Sequence, residues 1–413
     1  MGNMRALLPV TIVVLIVLAG CTSAGVDETE TAVSATPTEI AQVAVETAVP
    51  TTTPLPTNTP LPTSTAAPTD TPLPTNMPEP TFTPTPVVPF QDVKPILAPG
   101  SNGWESAFID PGGVVYHDGL FHMFYNGISG WPAHVHVGYA TSEDGLSWTR
   151  MTDDPVFTGE GIDYTGVSIF VSSAVVLEDG TWALYFYTID TGNFSGPGKI
   201  GRATAVSPFG PFTADPEPVL LPGPEGSWDE HAVLNPNVLK TDEDYVMYFD
   251  GNMGDSDSTR DRVIGMATSP DGVVWTKYNI ESTTAAVVAE SDPIFKTGLS
   301  GAWDRDRVMD PNVLQTEDGW IMIYESSHFD QRQQRRDYGI GIAVSEDGIN
   351  WERPEENNQL LATLADKGWT AIYLITAVSH NDTTYLYYDV QANVQSGTIV
   401  YGAAFTGSLL PEK

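Results

Sequence analysis

The feature that most constrains this chain is a phrase that occurs five times, in which a short apolar strand runs into a tight polar turn. It reads VGYATSEDGLSW from Val137, IGRATAVSPFGPF from Ile200, IGMATSPDGVVW from Ile264, IGIAVSEDGINW from Ile340 and, in worn form, IVYGAAFTGSLL from Ile399. A recurrence of roughly 60 to 75 residues fits repeated small sheets better than stacked helix pairs. Sheets repeated around an axis make a β-propeller, which shortens and protects its strand edges by radial repetition.

Each repeat supports four short strands rich in Val, Ile, Tyr and Phe, separated by Gly, Asp and Asn, with no 3.6-residue apolar period. The fold class is therefore all-β, a five-bladed β-propeller of four-stranded antiparallel sheets. Blades begin near Trp104, Tyr164, Trp228, Trp303 and Trp369. Within a blade, a first strand such as DPNVLQ meets a polar turn such as EDG and then an aromatic strand such as WIMIYE. In the SxDGxxW turn, Gly supplies positive φ while Asp and Ser satisfy open backbone groups.

A second phrase precedes each blade: KPILAPG at Lys94, DPVFTG at Asp154, EPVLLPG at Glu217, DPIFKTG at Asp292 and NQLLATL at Asn358. Blade five runs out after Leu410, and a ring must hide its last sheet edge. Residues of about 92 to 98 are therefore expected to complete blade five and fasten the circle.

Only part of the 413 residues builds this ring. Residues 1–20 read as a lipoprotein signal peptide: one Arg, an apolar run from Leu7 to Ala19, then Leu18-Ala19-Gly20-Cys21, which resembles the lipobox of bacterial lipoproteins. The run is shorter than the roughly 20 residues a spanning helix needs. Lipidation of Cys21, the sole cysteine, is expected. Residues 21–90 form a Thr/Pro-rich linker with TPLPT-like phrases, a composition that cannot bury enough apolar surface to fold. As polyproline II its sixty or so residues would reach roughly 180 Å. Residues 91–413 form the propeller, expected as a monomer on the outer face of the cytoplasmic membrane, touching that membrane only through the lipid. A formal charge of −35 argues against nucleic acid or an anionic bilayer as partner.

Aligning the blades on their leading aromatic and polar turn brings Asp110, Ser172, Asn235, Asp310 and Thr376 to one expected place on the inner strands, facing the funnel. With Asp110-Pro111 followed by HDGLFHMFYNG, the DG-aromatic strands and the SxDGxxW turns, residues of about 92 to 410 resemble the five-bladed propeller glycosidases of glycoside hydrolase families 43, 32, 68 and 130. The resemblance implies a carbohydrate substrate and an extracytoplasmic glycosidase, including enzymes for furanosides such as arabinosides or fructans. It implies a first-blade Asp as base or nucleophile, a second-blade Asp that tunes it and a third-blade Glu as acid. Asp110 matches the first role, whereas the other two places hold Ser172 and Asn235.

Glycoside cleavage needs one carboxylic acid for the leaving oxygen and one carboxylate to attack or to activate water. The expected set is Asp110 as base or nucleophile with Asp310 as acidic partner, then Glu230 if SWDEH folds over the funnel mouth, then Glu325. An Asp-Pro pair is also an ordinary turn and cap, which stands as the plain alternative. In the rim loop GISGWPAHVHVG, Trp131 and His134 offer sugar contacts, and His134 with His136 share a face where a metal would fit. No cofactor is required, and the loop GDSDSTRD from Gly254 is a weak calcium candidate. The competing reading is a catalytically silent glycan-binding propeller; a sialidase-like one ranks lower, for want of an arginine triad and a sixth blade.

Overall fold

The computed structural model describes residues 90–130, 134–164, 168–189, 198–242, 244–253, 262–283, 285–354, 358–362, 369–392 and 397–410. The signal peptide, Cys21, the linker, Trp131 and the loop from Gly254 lie outside these residues.

The described residues form five four-stranded antiparallel sheets. Blade one holds β2 (Phe108–His117), β3 (Leu120–Ile128), β4 (Val135–Ser142) and β5 (Thr149–Arg150). Blade two holds β6 (Ser168–Val176), β7 (Trp182–Ile189), β8 (Lys199–Ala205) and β9 (Thr213–Ala214), and blade three β10 (Ala232–Lys240), β11 (Tyr245–Asn252), β12 (Val263–Ser269) and β13 (Thr276–Lys277). Blade four holds β14 (Arg307–Thr316), β15 (Gly319–Asp330), β16 (Arg335–Ser345) and β17 (Gln359–Ala362). Blade five takes β18 (Ala371–His380), β19 (Thr383–Gln391) and β20 (Thr398–Thr406) from the end of the chain, and β1 (Gln91–Leu97) from the start of the described domain.

The expected closure is thus present. Strand β1 pairs antiparallel with β20, Lys94 opposite Gly402 and Leu97 opposite Val400, and Leu97 is buried with Val400 and Tyr387. It covers the sheet edge that β20 would otherwise expose.

Three of the SxDGxxW turns are built alike. Asp144 Oδ1 accepts from the Leu146 and Ser147 amides at 2.8 and 2.6 Å, and Asp271 and Asp347 do the same for Val273 and Val274, and for Ile349 and Asn350. Burial is the largest single effect on Asp144 and raises it, but the turn amides together with the Ser142 and Ser147 hydroxyls hold that carboxylate to about 2, and the Asn350 and Ile349 amides with the Asn350 and Ser345 side chains hold Asp347 there too. A buried tyrosine of the neighbouring blade grips each turn: Tyr387 donates to Gly145 O, Tyr185 to Gly272 O and Tyr248 to Gly348 O, at 2.8 to 2.9 Å. The repeated phrase is therefore a seam between blades as well as a turn.

A second repeat fixes the sheets from outside. Trp104-Glu105, Trp228-Asp229 and Trp303-Asp304 each stack an indole on the aromatic strand and bury the acid. That acid meets a cation at the end of the same blade, Arg150, Lys277 or Arg353.

Every inner strand carries a bulge at its middle, where one extra residue opposes the aromatic strand. The register assigns Phe170, Leu234, Met309 and Tyr373 as the partners of Asp110 around the ring. Asn235 and Asp310 sit one residue later, inside the bulge, with φ of +48° and +52°. The expected equivalence of Asp110 with Asp310, Asn235, Ser172 and Thr376 is corrected accordingly. An Asp-Pro pair looks the same in sequence on either side of a bulge.

Truncating Leu97 opens a cavity under the closing strand, so Leu97→Ala should lower unfolding free energy by about 2–4 kcal/mol in urea titration. Met151→Ala, at a residue that is 40% exposed, should change it by less than about 0.5 kcal/mol.

Candidate active site

A cavity of about 400 Å³ lies where the five inner strands converge, lined from all five blades. Blade one contributes Asp110, blade four Glu325 and blade five Asp389, each nearly inaccessible. Arg262 and Arg307 complete the charged set.

Asp110 ends the regular pairing of β2 just before the bulge, opposite Asn126 of β3. Its Oδ1 accepts a hydrogen bond from the Thr398 hydroxyl at 2.8 Å, and that hydroxyl accepts from the Ile109 amide at 3.0 Å. Burial pushes the Asp110 carboxyl up to about 6, with Thr398 and Asp389 pulling the other way through hydrogen bonds. Asp389 lies opposite Tyr373 in β19, and neither of its oxygens has a partner while both acids are ionised. Burial first, then the charges of Asp110 and Glu325, hold the Asp389 proton far above the usual carboxylate range. A protonated Asp389 donates to an ionised Asp110, so one proton on the pair resolves both the repulsion and the missing hydrogen bond.

Each arginine is held by a polar group of its own blade. Arg262 Nη1 lies 3.5 Å from Asp250 Oδ2, and Arg307 Nε donates to Ser327 Oγ at 2.6 Å. Asp250 is fully buried; its Oδ1 accepts from Asn235 Nδ2 at 2.7 Å and from the Asp310 amide at 3.1 Å. It ties blade three to blade four beside Asn235, which lines the cavity.

Of the residues singled out in sequence, Asp110, Asn235 and Glu325 line the cavity together. Asp310 is 2% exposed and is not among the lining residues; its Oδ2 accepts from the Ile375 amide of blade five. Burial and Asp250 raise the Asp310 carboxyl well above its ordinary value. Glu230 is half-buried in the loop before β10, and its carboxylate folds back onto the Gly226 amide rather than into the cavity. Ser172 is half-buried in the bulge of β6 and does not line the cavity either. His134 lines a separate polar cleft of about 280 Å³ with His136, Glu160 and Asp163. Among the described residues no three His, Cys, Asp or Glu side chains are grouped to hold a metal.

Asp389, Asp250, Arg262 and Arg307 were not anticipated. A signal for the acids exists in the aromatic strands: MFYN, MYFD, MIYE and LYYD end on Asn126, Asp250, Glu325 and Asp389, all beside the bulge. The arginines carry no repeat signature.

Residues 102–286 match the model for the glycosyl hydrolases family 32 N-terminal domain. Over 74 residues the chain is 35% identical to a 1,2-β-oligomannan phosphorylase of Thermoanaerobacter sp. (strain X514), a stretch covering 16% of this chain and 25% of that protein. The chain thus spans about a quarter of the length of that relative. Among solved structures, a glycosyl hydrolase from Bacteroides ovatus superposes with TM-score 0.57 at 17% identity, covering 78% of this chain and 94% of its own. A structure from work on family 130 mannoside phosphorylases, and on the glycoside hydrolases among them that target β-1,2 mannosidic linkages in Candida mannan, gives TM-score 0.56 at 18% identity. It covers 80% of this chain and 96% of its own. At such identities these two likenesses are of fold alone.

A buried carboxyl with a raised folded pKa holds its proton more tightly in the native state, so it withdraws stability as pH rises from the unfolded value of about 4. For Asp110 that window runs from 3.8 to about 6, and for Asp389 it extends higher. The Asp110→Asn/Asp389→Asn variant should therefore gain thermal stability over the wild type progressively from pH 4 to pH 7, measured by calorimetric melting at fixed ionic strength.

Proposed function

Taking the chain as a glycan-acting member of the five-bladed β-propeller glycosidase superfamily, we propose that it is a glycoside hydrolase acting on poly- or oligosaccharides. The observation that carries this reading is the meeting of three buried carboxyls, Asp110, Asp389 and Glu325, from three blades on one cavity.

Above pH of about 6 Asp110 is ionised, held by Thr398 and by the protonated Asp389. It attacks the anomeric carbon or takes a proton from water. Asp389 hydrogen-bonds to Asp110 and so stands on the same side of the sugar. Glu325, from blade four, is the group left to protonate the departing oxygen, in the division of labour that two-carboxylate glycosidases require. Asp310 keeps a supporting task, positioning the bulge of blade five through Ile375 N.

Which sugar is cut is a matter for assay. The family 32 match supports fructans and related furanosides, and the similarity to the oligomannan phosphorylase supports β-mannosides. A second reading follows from Arg262 and Arg307 in the cavity: guanidinium groups recognise phosphate, which would then replace water as the acceptor. Export and lipidation at Cys21, with no cofactor and a monomeric domain, complete the proposal; the lipobox-like Leu18-Ala19-Gly20-Cys21 supports the anchor.

The test is turnover of aryl arabinofuranosides, xylosides and β-mannosides, and of fructans, with and without inorganic phosphate. Asp110→Asn should lower kcat by about 10³-fold or more. Glu325→Gln should lower it by about 10²–10⁴-fold on natural linkages and much less on dinitrophenyl glycosides, whose leaving groups need no proton. Turnover that survives Asp110→Asn refutes the assignment, and glycan binding without turnover in the wild type favours a silent binding module. The activity profile should rise through pH 6 on its acid limb as Asp110 ionises.

A further inference from the structure

The apolar lining of the cavity is unevenly distributed among the blades. Most of it, Phe108, Ile128, Phe170, Ile189 and Leu234, comes from blades one to three, which also bring Asp110, Tyr187, Asn235 and Arg262, whereas blades four and five bring Arg307, Glu325, Asp389, Gln391 and Thr398. These five apolar residues belong to one packed cluster, with Phe108 half-buried and the others at most 5% exposed. The asymmetry comes from the backbone register. At the place of Asp110 in each inner strand the ring continues with Phe170, Leu234, Met309 and Tyr373. All four line the cavity, and Phe108, Ile128, Phe170 and Ile189 of blades one and two make an apolar wall there that offers no hydrogen-bond partner of its own, although blades two and three also bring Tyr187, Asn235 and Arg262 to the cavity.

Resting on the hydrolase reading, we infer that the sugar unit held beside Asp110 is a 6-deoxyhexose, its methyl group seated against Phe108, Ile128, Phe170 and Ile189. Phe108 stands two residues before Asp110 on β2, so a pyranose held at Asp110 lies against this wall. A hydroxymethyl group there loses its water without gaining a partner, while a methyl group gains contact and loses nothing. A pentose has nothing to fill the same space.

The experiment compares kcat/KM on nitrophenyl glycoside pairs that differ only at C6: α-L-fucoside with α-L-galactoside, α-L-rhamnoside with α-L-mannoside, and β-D-fucoside with β-D-galactoside. In parallel, calorimetry measures binding of the free sugars to Asp110→Asn. The deoxy member of the accepted pair should be favoured about 10- to 100-fold, the range over which an apolar pocket rejects an added hydroxyl. Phe170→Asn should shrink that ratio several-fold; Phe108→Gln, at the half-buried rim, gives the same readout where the first variant does not fold. Equal rates within a pair, preference for the 6-hydroxy member or for pentosides, or the absence of both turnover and binding overturns the inference. Turnover without a deoxy preference leaves the hydrolase reading standing, whereas selective binding of a deoxy sugar without any turnover sustains this inference and sinks hydrolysis.

Discussion

The architecture depends on how neighbouring inner strands are joined. Among the described residues no hydrogen-bonded ladder links one blade to the next, so backbone groups near the bulges need partners from elsewhere. Side chains supply them at all five seams. Asn126 brackets both the amide and carbonyl of Val171, and Ser173 Oγ accepts from the Val238 amide. Asn237 accepts from the Val313 amide, Asn312 reaches both Ile375 O and the Ala377 amide, and Thr398 takes the Ile109 amide. Each bond is modest, about 1 kcal/mol net, but leaving the buried backbone group unpaired costs more.

The same seams set the chemistry. Thr398 closes the ring between blades five and one and also donates to Asp110, so the residue that completes the circle also anchors the catalytic candidate. Asp310 and Asp250 join blades five, four and three through Ile375 N, the Asp310 amide and Asn235. Closure by β1 therefore matters beyond stability: a ring sprung at β1/β20 would misplace Thr398 and, with it, the carboxyl it holds.

Burial is what sets these acids apart from the rest. Exposed carboxylates such as Asp144 and Asp347, bound by turn amides, are driven down to about 2, while Asp110 is driven up to about 6 by loss of water. Amides facing a carboxylate and an apolar enclosure act with opposite sign on the same functional group. The charge of −35 spread over the chain says little about this, because the decisive charges are the few that water cannot screen.

The sequence by itself determined the number of blades, their four-strand pattern, the SxDGxxW turns and the edge that β1 covers, and it singled out Asp110, which lines the cavity. All are local or periodic: alternation, turn residues and repeat spacing act over a few positions. Tertiary structure decided which carboxyls share a cavity. Asp110 and Asp310 have the same local phrase, yet a one-residue difference relative to the bulge gives one to the cavity and the other to the Ile375 amide of the next blade. Asp389 enters the set only because the ring brings the end of β19 beside the start of β2, about 280 residues apart along the chain. Register and burial are sums over distant contacts, and no window of sequence contains them.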